Sequence, residues 1–197
     1  MKISIRAGTG SDNPIEFELV FKLMNDELAS INESLELVCA GGYVMQLNGY
    51  RGTADIDAFF TSNPAIDSII RKVGDCFNIN KPDELWLNNS ISNMNPVPPD
   101  DYCKVIHNYS NLIVKVVDMV YMIGMKLTSA RVQDIKDVAQ IVRNNAELQP
   151  FDLLSELIDM GLSVDISVLL DAFEGARGME WLDKFYRENE SELREYF

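Results

Sequence analysis

The spacing of hydrophobic and polar positions changes period along the chain, and each change marks an element. Met1, Ile3 and Ile5 alternate with Lys2, Ser4 and Arg6, a period of two that predicts a short strand, and GTGSDN predicts the turn that ends it. Asn13 followed by Pro14 is a helix start, because proline is preorganised for a first helical turn; Phe17, Val20, Phe21, Met24 and Leu28 then recur on one helical face. LELVCA predicts a buried strand, the GG after it an exit, YVMQLNGY a short helix closed by Gly49, and TADIDAFF a second strand. Between Ala65 and Phe77, Ile66, Ile69, Ile70 and Val73 form another helical stripe. LWLNN predicts a third strand, NPVPPDD a loop, and KVIHNY and NLIVKVV two further strands rich in β-branched residues.

From Asp118 onward the period is helical. Asp118 caps a helix that reaches Leu127, and Ser129 caps another whose Val132, Ile135, Ala139 and Val142 line one face. FDLLSELIDMG, the segment from Asp165 to Phe173 and a charged helix from Met179 complete the tail. The pattern predicts an α/β domain over residues 1–116 and a helical domain over residues 117–197.

Composition narrows the class. Hydrophobic residues make up 47% and charged residues 24%, the balance of a chain that folds around a core. The net charge of −14, from 31 acidic and 17 basic side chains, repels phosphate backbones and anionic membranes and disfavours bulk nucleic-acid binding. A triphosphate can still bind locally where divalent cations cancel the carboxylates. Cys39, Cys76 and Cys103 are odd in number and form no C-x-x-C, so neither a disulfide framework nor a zinc site is expected, and a lone His107 cannot build one. The most apolar segment, LIVKVVDMVYMIGMKL, is interrupted by Lys115, Asp118 and Lys126. A cytoplasmic protein without a membrane segment is the expectation.

Candidate chemistry lies in GGYVMQLNGYRGTADIDAFF, residues 41–60. In an extended strand Asp55, Asp57 and Phe59 share one face while Ile56, Ala58 and Phe60 share the other. Two carboxylates about 7 Å apart on one face can both reach a hard divalent ion, which keeps open positions for phosphate oxygens. Gly41 and Gly42 let the backbone approach phosphate and present N–H groups to it, and Arg51 and Thr53 stand where they can contact the same oxygens. An edge strand with one wet face gives the same alternation, and a GG pair can be a plain turn. The order strand, GG, helix, R-x-T-x-D-x-D favours metal and nucleotide.

This stretch resembles the signature of the nucleotidyltransferase superfamily that shares the DNA polymerase β palm, and within it the small AbiEii-like branch of bacterial toxin and phage-defence proteins. In that branch a lysine on a later helix precedes a helix of the form R-x-x-D-x-x-D. Here MKLTSARVQDIKDV supplies Lys126, Arg131, Asp134 and Asp137. The resemblance covers residues 37–143 and implies a palm-like mixed sheet with flanking helices, followed by a C-terminal helical bundle. It further implies Asp55 and Asp57 as catalytic magnesium ligands, the Gly41–Gly42 turn as a phosphate holder and Lys126 as a contact to the triphosphate. A snorkelling surface lysine is the plainer reading of Lys126, and helix-surface or ion-pair roles are the plainer readings of Asp134 and Asp137.

The function implied is Mg²⁺-dependent transfer of a nucleotide from an NTP to an RNA or protein hydroxyl, in a toxin-like role with a cognate antitoxin. One feature departs from the superfamily. A third carboxylate on a neighbouring strand usually completes the metal site, whereas LWLNN offers Asn88 and Asn89, NLIVKVV offers no acid, and Asp83, Glu84, Asp101 and Asp118 only flank these strands. Loss of that acid allows a rival reading, a catalytically inactive nucleotide-binding or protein-interaction module of the same fold.

Overall fold

Residues 3–8, 15–93, 95–194 and 196 are described by the computed structural model. Apolar side chains spaced three and four apart make α1 (Phe17–Ser30) amphipathic, with Phe17, Val20, Phe21, Met24 and Leu28 buried along one face. β1 (Leu35–Cys39) follows, then α2 (Gly41–Leu47), β2 (Ile56–Phe59) and α3 (Pro64–Phe77). Asn63 caps α3, its side-chain oxygen accepting from the backbone N–H groups of Ala65 and Ile66, with Pro64 in the first turn. β3 is only two residues long (Leu87–Asn88), and β4 (Cys103–Asn108) and β5 (Leu112–Val117) form an antiparallel pair with an irregularity between Val105 and His107.

These strands form one mixed sheet in the order β3-β2-β1-β5-β4. β1 runs antiparallel to β2 and parallel to β5, and β3 runs parallel to β2. Alternation fixes the core side: Leu35, Leu37 and Cys39 of β1, Ile56 and Ala58 of β2, and Leu112 and Val114 of β5 pack with the buried stripes of α1 and α3. By the same period Asp57 and Phe59 belong to the opposite face. An aromatic group closes the core, with Phe17 stacked on Trp86 at 6.1 Å, Tyr43 edge-on to Phe17, and the Trp86 indole N–H donating to the Ile70 carbonyl at 2.8 Å.

That packing makes one glycine sensitive. A Cβ placed on Gly74 of α3 would lie 2.5 Å from Trp86 Cδ1 and closer still to the Asn80 side chain. The indole is pinned by its hydrogen bond and its ring neighbours and cannot retreat. Gly74→Ala is therefore expected to lose about 1–3 kcal/mol to overpacking, outweighing a helix-propensity gain of about 1 kcal/mol. A urea midpoint at or above that of the parent would show that the Trp86 packing yields.

The chain separates into two compact units, one ending at Asp118 and the other running from Met119 onward together with residues 3–8. In the second unit α4 (Met119–Ser129) is buried continuously from Met119 to Leu127. α5 (Val132–Asn144), α6 (Pro150–Asp159), α7 (Ile166–Arg177), α8 (Met179–Glu188) and the short α9 (Glu190–Leu193) complete it. Asp165 caps α7 by accepting from Ser167 N–H at 2.8 Å. Arg177 ends α7 over the Phe173 and Trp181 rings, 5.0 and 4.9 Å from their centres, and donates to the Ala146 and Leu148 carbonyls. Burial pulls its guanidinium below the ordinary arginine range. Among the described residues no helix is long and apolar enough to cross a membrane.

Three local expectations change. Residues 3–8 form no strand; the Arg6 N–H donates to Asn145 Oδ1 at 2.7 Å and its side chain pairs with Glu147, so this segment is held by side chains rather than by a sheet edge. The GTG turn beyond Gly8 and the Asn13–Pro14 helix start lie outside the described residues. Ser129 does not cap α5, whose N-cap position is Arg131; its hydroxyl lies 2.5 Å from Asp134 Oδ2 instead.

Candidate functional site

The site is built on the exit from β1. Ala40 N–H donates to the Asp57 carbonyl at 2.9 Å, which hangs the turn on β2, and Gly41 then takes φ +59°, a left-handed conformation that costs an L side chain about 1–2 kcal/mol. A Cβ on Gly41 would stand 3.1 Å from Asp57 Oδ2. One on Gly42 would stand 2.6 Å from Thr53 Oγ1 and 3.3 Å from Arg51 Nη1. Carboxylate, hydroxyl and guanidinium thus lie directly against the bare backbone of the turn. The structure brings together Gly41, Gly42, Arg51, Thr53 and Asp57.

Thr53 is the hinge of this arrangement. Its N–H donates to Gln46 Oε1 at 2.9 Å, and the Gln46 amide donates in turn to the Ile15 carbonyl at 2.9 Å. Its hydroxyl lies 3.0 Å from both the carbonyl and Oδ1 of Asp55. Arg51 Nη1 donates to the Gly52 carbonyl at 3.2 Å. β2 begins at Ile56, so Asp55 occupies a bend ahead of the strand, and the shared-face argument from strand alternation applies to Asp57 but not to it. Side-chain contacts place Asp55.

One of those contacts was not anticipated. The Lys81 ammonium lies 3.1 Å from Asp55 Oδ2 and 2.8 Å from Glu84 Oε2. Glu84 first and Asp55 second hold the lysine above its ordinary range. In sequence Lys81 sits in NKPDEL, a polar loop before an apolar strand, and nothing in its spacing ties it to a residue 26 positions earlier.

β3 is the outer neighbour of β2, with Asp57 in register with Asn88, whereas β5 pairs with β1 and β4. The strand beside the Asp57 position therefore carries an amide. Asn88 Oδ1 accepts from the Ser90 N–H and hydroxyl at 3.2 and 2.6 Å. A cavity of about 300 Å³ opens at this edge, with Asn88, Ser62, Asp67, Asp83 and Glu84 in its wall; three carboxylates make it unsuited to a triphosphate.

Among the described residues no group of three or more His, Cys, Asp or Glu is disposed to hold a metal ion. Asp55 and Asp57 nevertheless offer carboxylate oxygens, the donors a hard divalent ion prefers, and a cation already stands at Asp55 in the form of Lys81. In donor chemistry, though not in number, Asp55 and Asp57 fit such an ion.

The helical unit holds the other predicted cluster. Lys126 is buried, with Nζ 2.8 Å from Asp134 Oδ1 and 2.7 Å from Asp137 Oδ2, and the two aspartates are buried with it. Arg131 Nε and the Ser129 hydroxyl bind Asp134 Oδ2, and Gln133 donates to Asp137 at 2.8 Å. Burial is the largest single influence on Asp134 and raises its pKa, but the bonds from Lys126, Ser129 and Arg131 together outweigh it and leave the carboxyl below the ordinary aspartate range. Lys126 is thus an interior counter-charge within its own unit, not an exposed lysine.

A five-stranded mixed sheet flanked by helices, with a helical region after it, is the architecture of a palm-like nucleotidyltransferase. The particular family is also defined: a model for nucleotidyltransferases of unknown function, DUF6036, matches residues 16–168, and the chain belongs to that family. The match begins before α1 and ends in α7, so it takes in helices on both sides of residue 118. No curated protein and no solved structure matches the chain.

Proposed function

We propose that the chain is a Mg²⁺-dependent nucleotidyltransferase that binds an NTP at the Gly41–Gly42 turn and transfers its nucleotide to a hydroxyl of RNA or protein. The observation that carries this reading is the close packing of Asp57, Thr53 and Arg51 against the two glycines. A backbone turn with a guanidinium and a hydroxyl against it suits phosphate oxygens, and Asp55 and Asp57 would hold the metal. When bound, the ion neutralises charge on the triphosphate and aligns it. Arg51 and Thr53 orient the phosphates, and the turn sets how closely they approach. The acceptor oxygen bonds to the α-phosphorus, the bond to pyrophosphate breaks, and the hydroxyl proton passes to water, since an asparagine at position 88 cannot take it. Rate then comes from alignment rather than from a strong base.

The toxin-like role, the AbiEii-like kinship and a cognate antitoxin belong to the same proposal and rest on the sequence resemblance, and a cytoplasmic setting belongs to it on the cysteine usage and the interrupted apolar segment. So does a phosphate role for Lys126. A second reading has its own observation: Asn88 stands in register with Asp57 where an acid would complete the metal site, which suits a module that binds nucleotide without turning it over.

Incubation with each labelled NTP and pools of RNA and protein separates the two. Label transfer is expected from the parent chain and should fall by about 100-fold or more in Asp55→Asn and in Asp57→Asn. Calorimetric binding of Mg-NTP without transfer would favour the module. No binding of any Mg-NTP would overturn both readings.

A further inference from the structure

Asp55 already has a cation, and it is delivered by a constrained loop. The Lys81 side chain is 47% exposed and that of Asp55 28%, so the pair sits at the mouth of the site rather than inside the core. Lys81 N–H donates to the Glu84 carbonyl at 2.9 Å, closing an isolated antiparallel bridge, and the Glu84 carboxylate holds the same ammonium at 2.8 Å. The lysine is therefore aimed by its own loop, with one acid behind it and Asp55 in front. A divalent ion ligated by Asp55 would meet this ammonium within a few ångströms, where a charge of two against one repels strongly even in a partly wet site. Lys81 can yield Asp55 and keep Glu84.

We infer that Lys81 is the resident counter-ion of Asp55, that it sets the divalent-ion affinity of the site by competing for that carboxylate, and that Glu84 sets how strongly it competes. The inference rests on the reading of Asp55 and Asp57 as metal ligands. Its consequence is the order of loading. Two carboxylates and an amide attract a bare ion less than three carboxylates do, and Lys81 lowers the attraction further. Metal uptake is thereby weakened, and it strengthens when a triphosphate brings its own negative charge. Lys81 acts here as a positioning residue for charge rather than as a catalytic one.

The test is titration of the full chain with Mn²⁺ alone, followed by loss of the free-ion paramagnetic resonance signal. Lys81→Gln is expected to bind Mn²⁺ about three- to tenfold tighter than the parent. Glu84→Gln, which leaves the ammonium wholly to Asp55, should bind it more weakly, and that effect should vanish in the Lys81→Gln background because the two residues act as one unit. Unchanged or weaker binding by Lys81→Gln, with binding lost in Asp55→Asn, overturns the counter-ion role and leaves the metal reading intact. Absence of Mn²⁺ uptake by both the parent and Lys81→Gln overturns the metal reading itself.

Discussion

Replacing Lys126 by methionine is expected to remove about 3–5 kcal/mol of folding stability, the cost of leaving a buried charge without its partner. Two aspartates depend on this ammonium, at 2.8 and 2.7 Å, and both lie in the interior of the helical unit. Methionine has similar length and fills the space, so the loss is electrostatic and not a cavity. Asp134 would keep Ser129 and Arg131, and Asp137 would keep Gln133, which limits the damage without cancelling it. The pH dependence carries a sign. Asp134 has a lowered pKa in the fold, so its contribution is full above the ordinary aspartate value of about 3.9 and is lost as pH falls through the lowered value. In Lys126→Met burial is no longer outweighed to the same degree, and protonation removes the uncompensated charge. The gap between variant and parent should therefore be widest near neutrality and narrow below about pH 4. Urea unfolding followed by far-ultraviolet circular dichroism at several pH values measures it.

A triple variant, Lys126→Met with Asp134→Asn and Asp137→Asn, separates structure from phosphate binding. Removing all three charges should recover much of the stability. If the recovered protein has lost triphosphate binding, the lysine has the phosphate role that the resemblance implies. If it binds Mg-NTP as the parent does, the lysine serves as a counter-charge alone.

The elements that rest on one face of a periodic pattern were legible in advance. The stripe of Phe17, Val20, Phe21, Met24 and Leu28 and the run NLIVKVV became α1 and β5 because burial on one side is written into spacing, whereas KVIHNY became β4 with no buried residue, on β propensity and pairing with β5. The Gly41–Gly42 pair was legible for a related reason, since only glycine accepts both the left-handed φ at Gly41 and the approach of Thr53 to Gly42, although the two glycines open α2 rather than form a separate turn ahead of it. What spacing does not encode is partnership at a distance. Alternation at Ile3 and Ile5 gives a side-chain period but no edge to pair with, and Asn145 took the backbone donor instead. A pattern of acids cannot show that Asp55 lies in a bend, nor that Lys81 reaches it across α3. Lys126 read as a triphosphate contact or a surface lysine for the same reason. Its burial depends on two aspartates one helix later, and a charge pattern looks alike whether its members face water or each other.

Gly42→Ala is expected to weaken triphosphate use by about 100-fold, because an error of about 1 Å in holding reactive groups is worth that much. The added methyl would lie 2.6 Å from Thr53 Oγ1 and 3.0 Å from its Cβ, distances that force movement, and 3.3 Å from Arg51 Nη1. Thr53 cannot move alone. Its N–H is tied to Gln46 and its hydroxyl to Asp55, so the shift passes to the carboxylate that is proposed to hold the metal. Gly41→Ala works differently: its Cβ contact with Asp57 Oδ2 at 3.1 Å is milder, but φ +59° adds backbone strain and so should lower thermal stability more than Gly42→Ala does. Thr53→Ala serves as the partner in a double-mutant cycle. If Gly42→Ala acts by displacing Thr53, the double variant should be no worse than Gly42→Ala alone, since the hydroxyl it would disturb is already gone. Calorimetry with Mg-NTP and label transfer give the two readouts. Parental affinity and transfer in Gly42→Ala would mean that the phosphates do not pack against this turn, whatever the family of the chain, and the substrate would have to be sought elsewhere on the sheet.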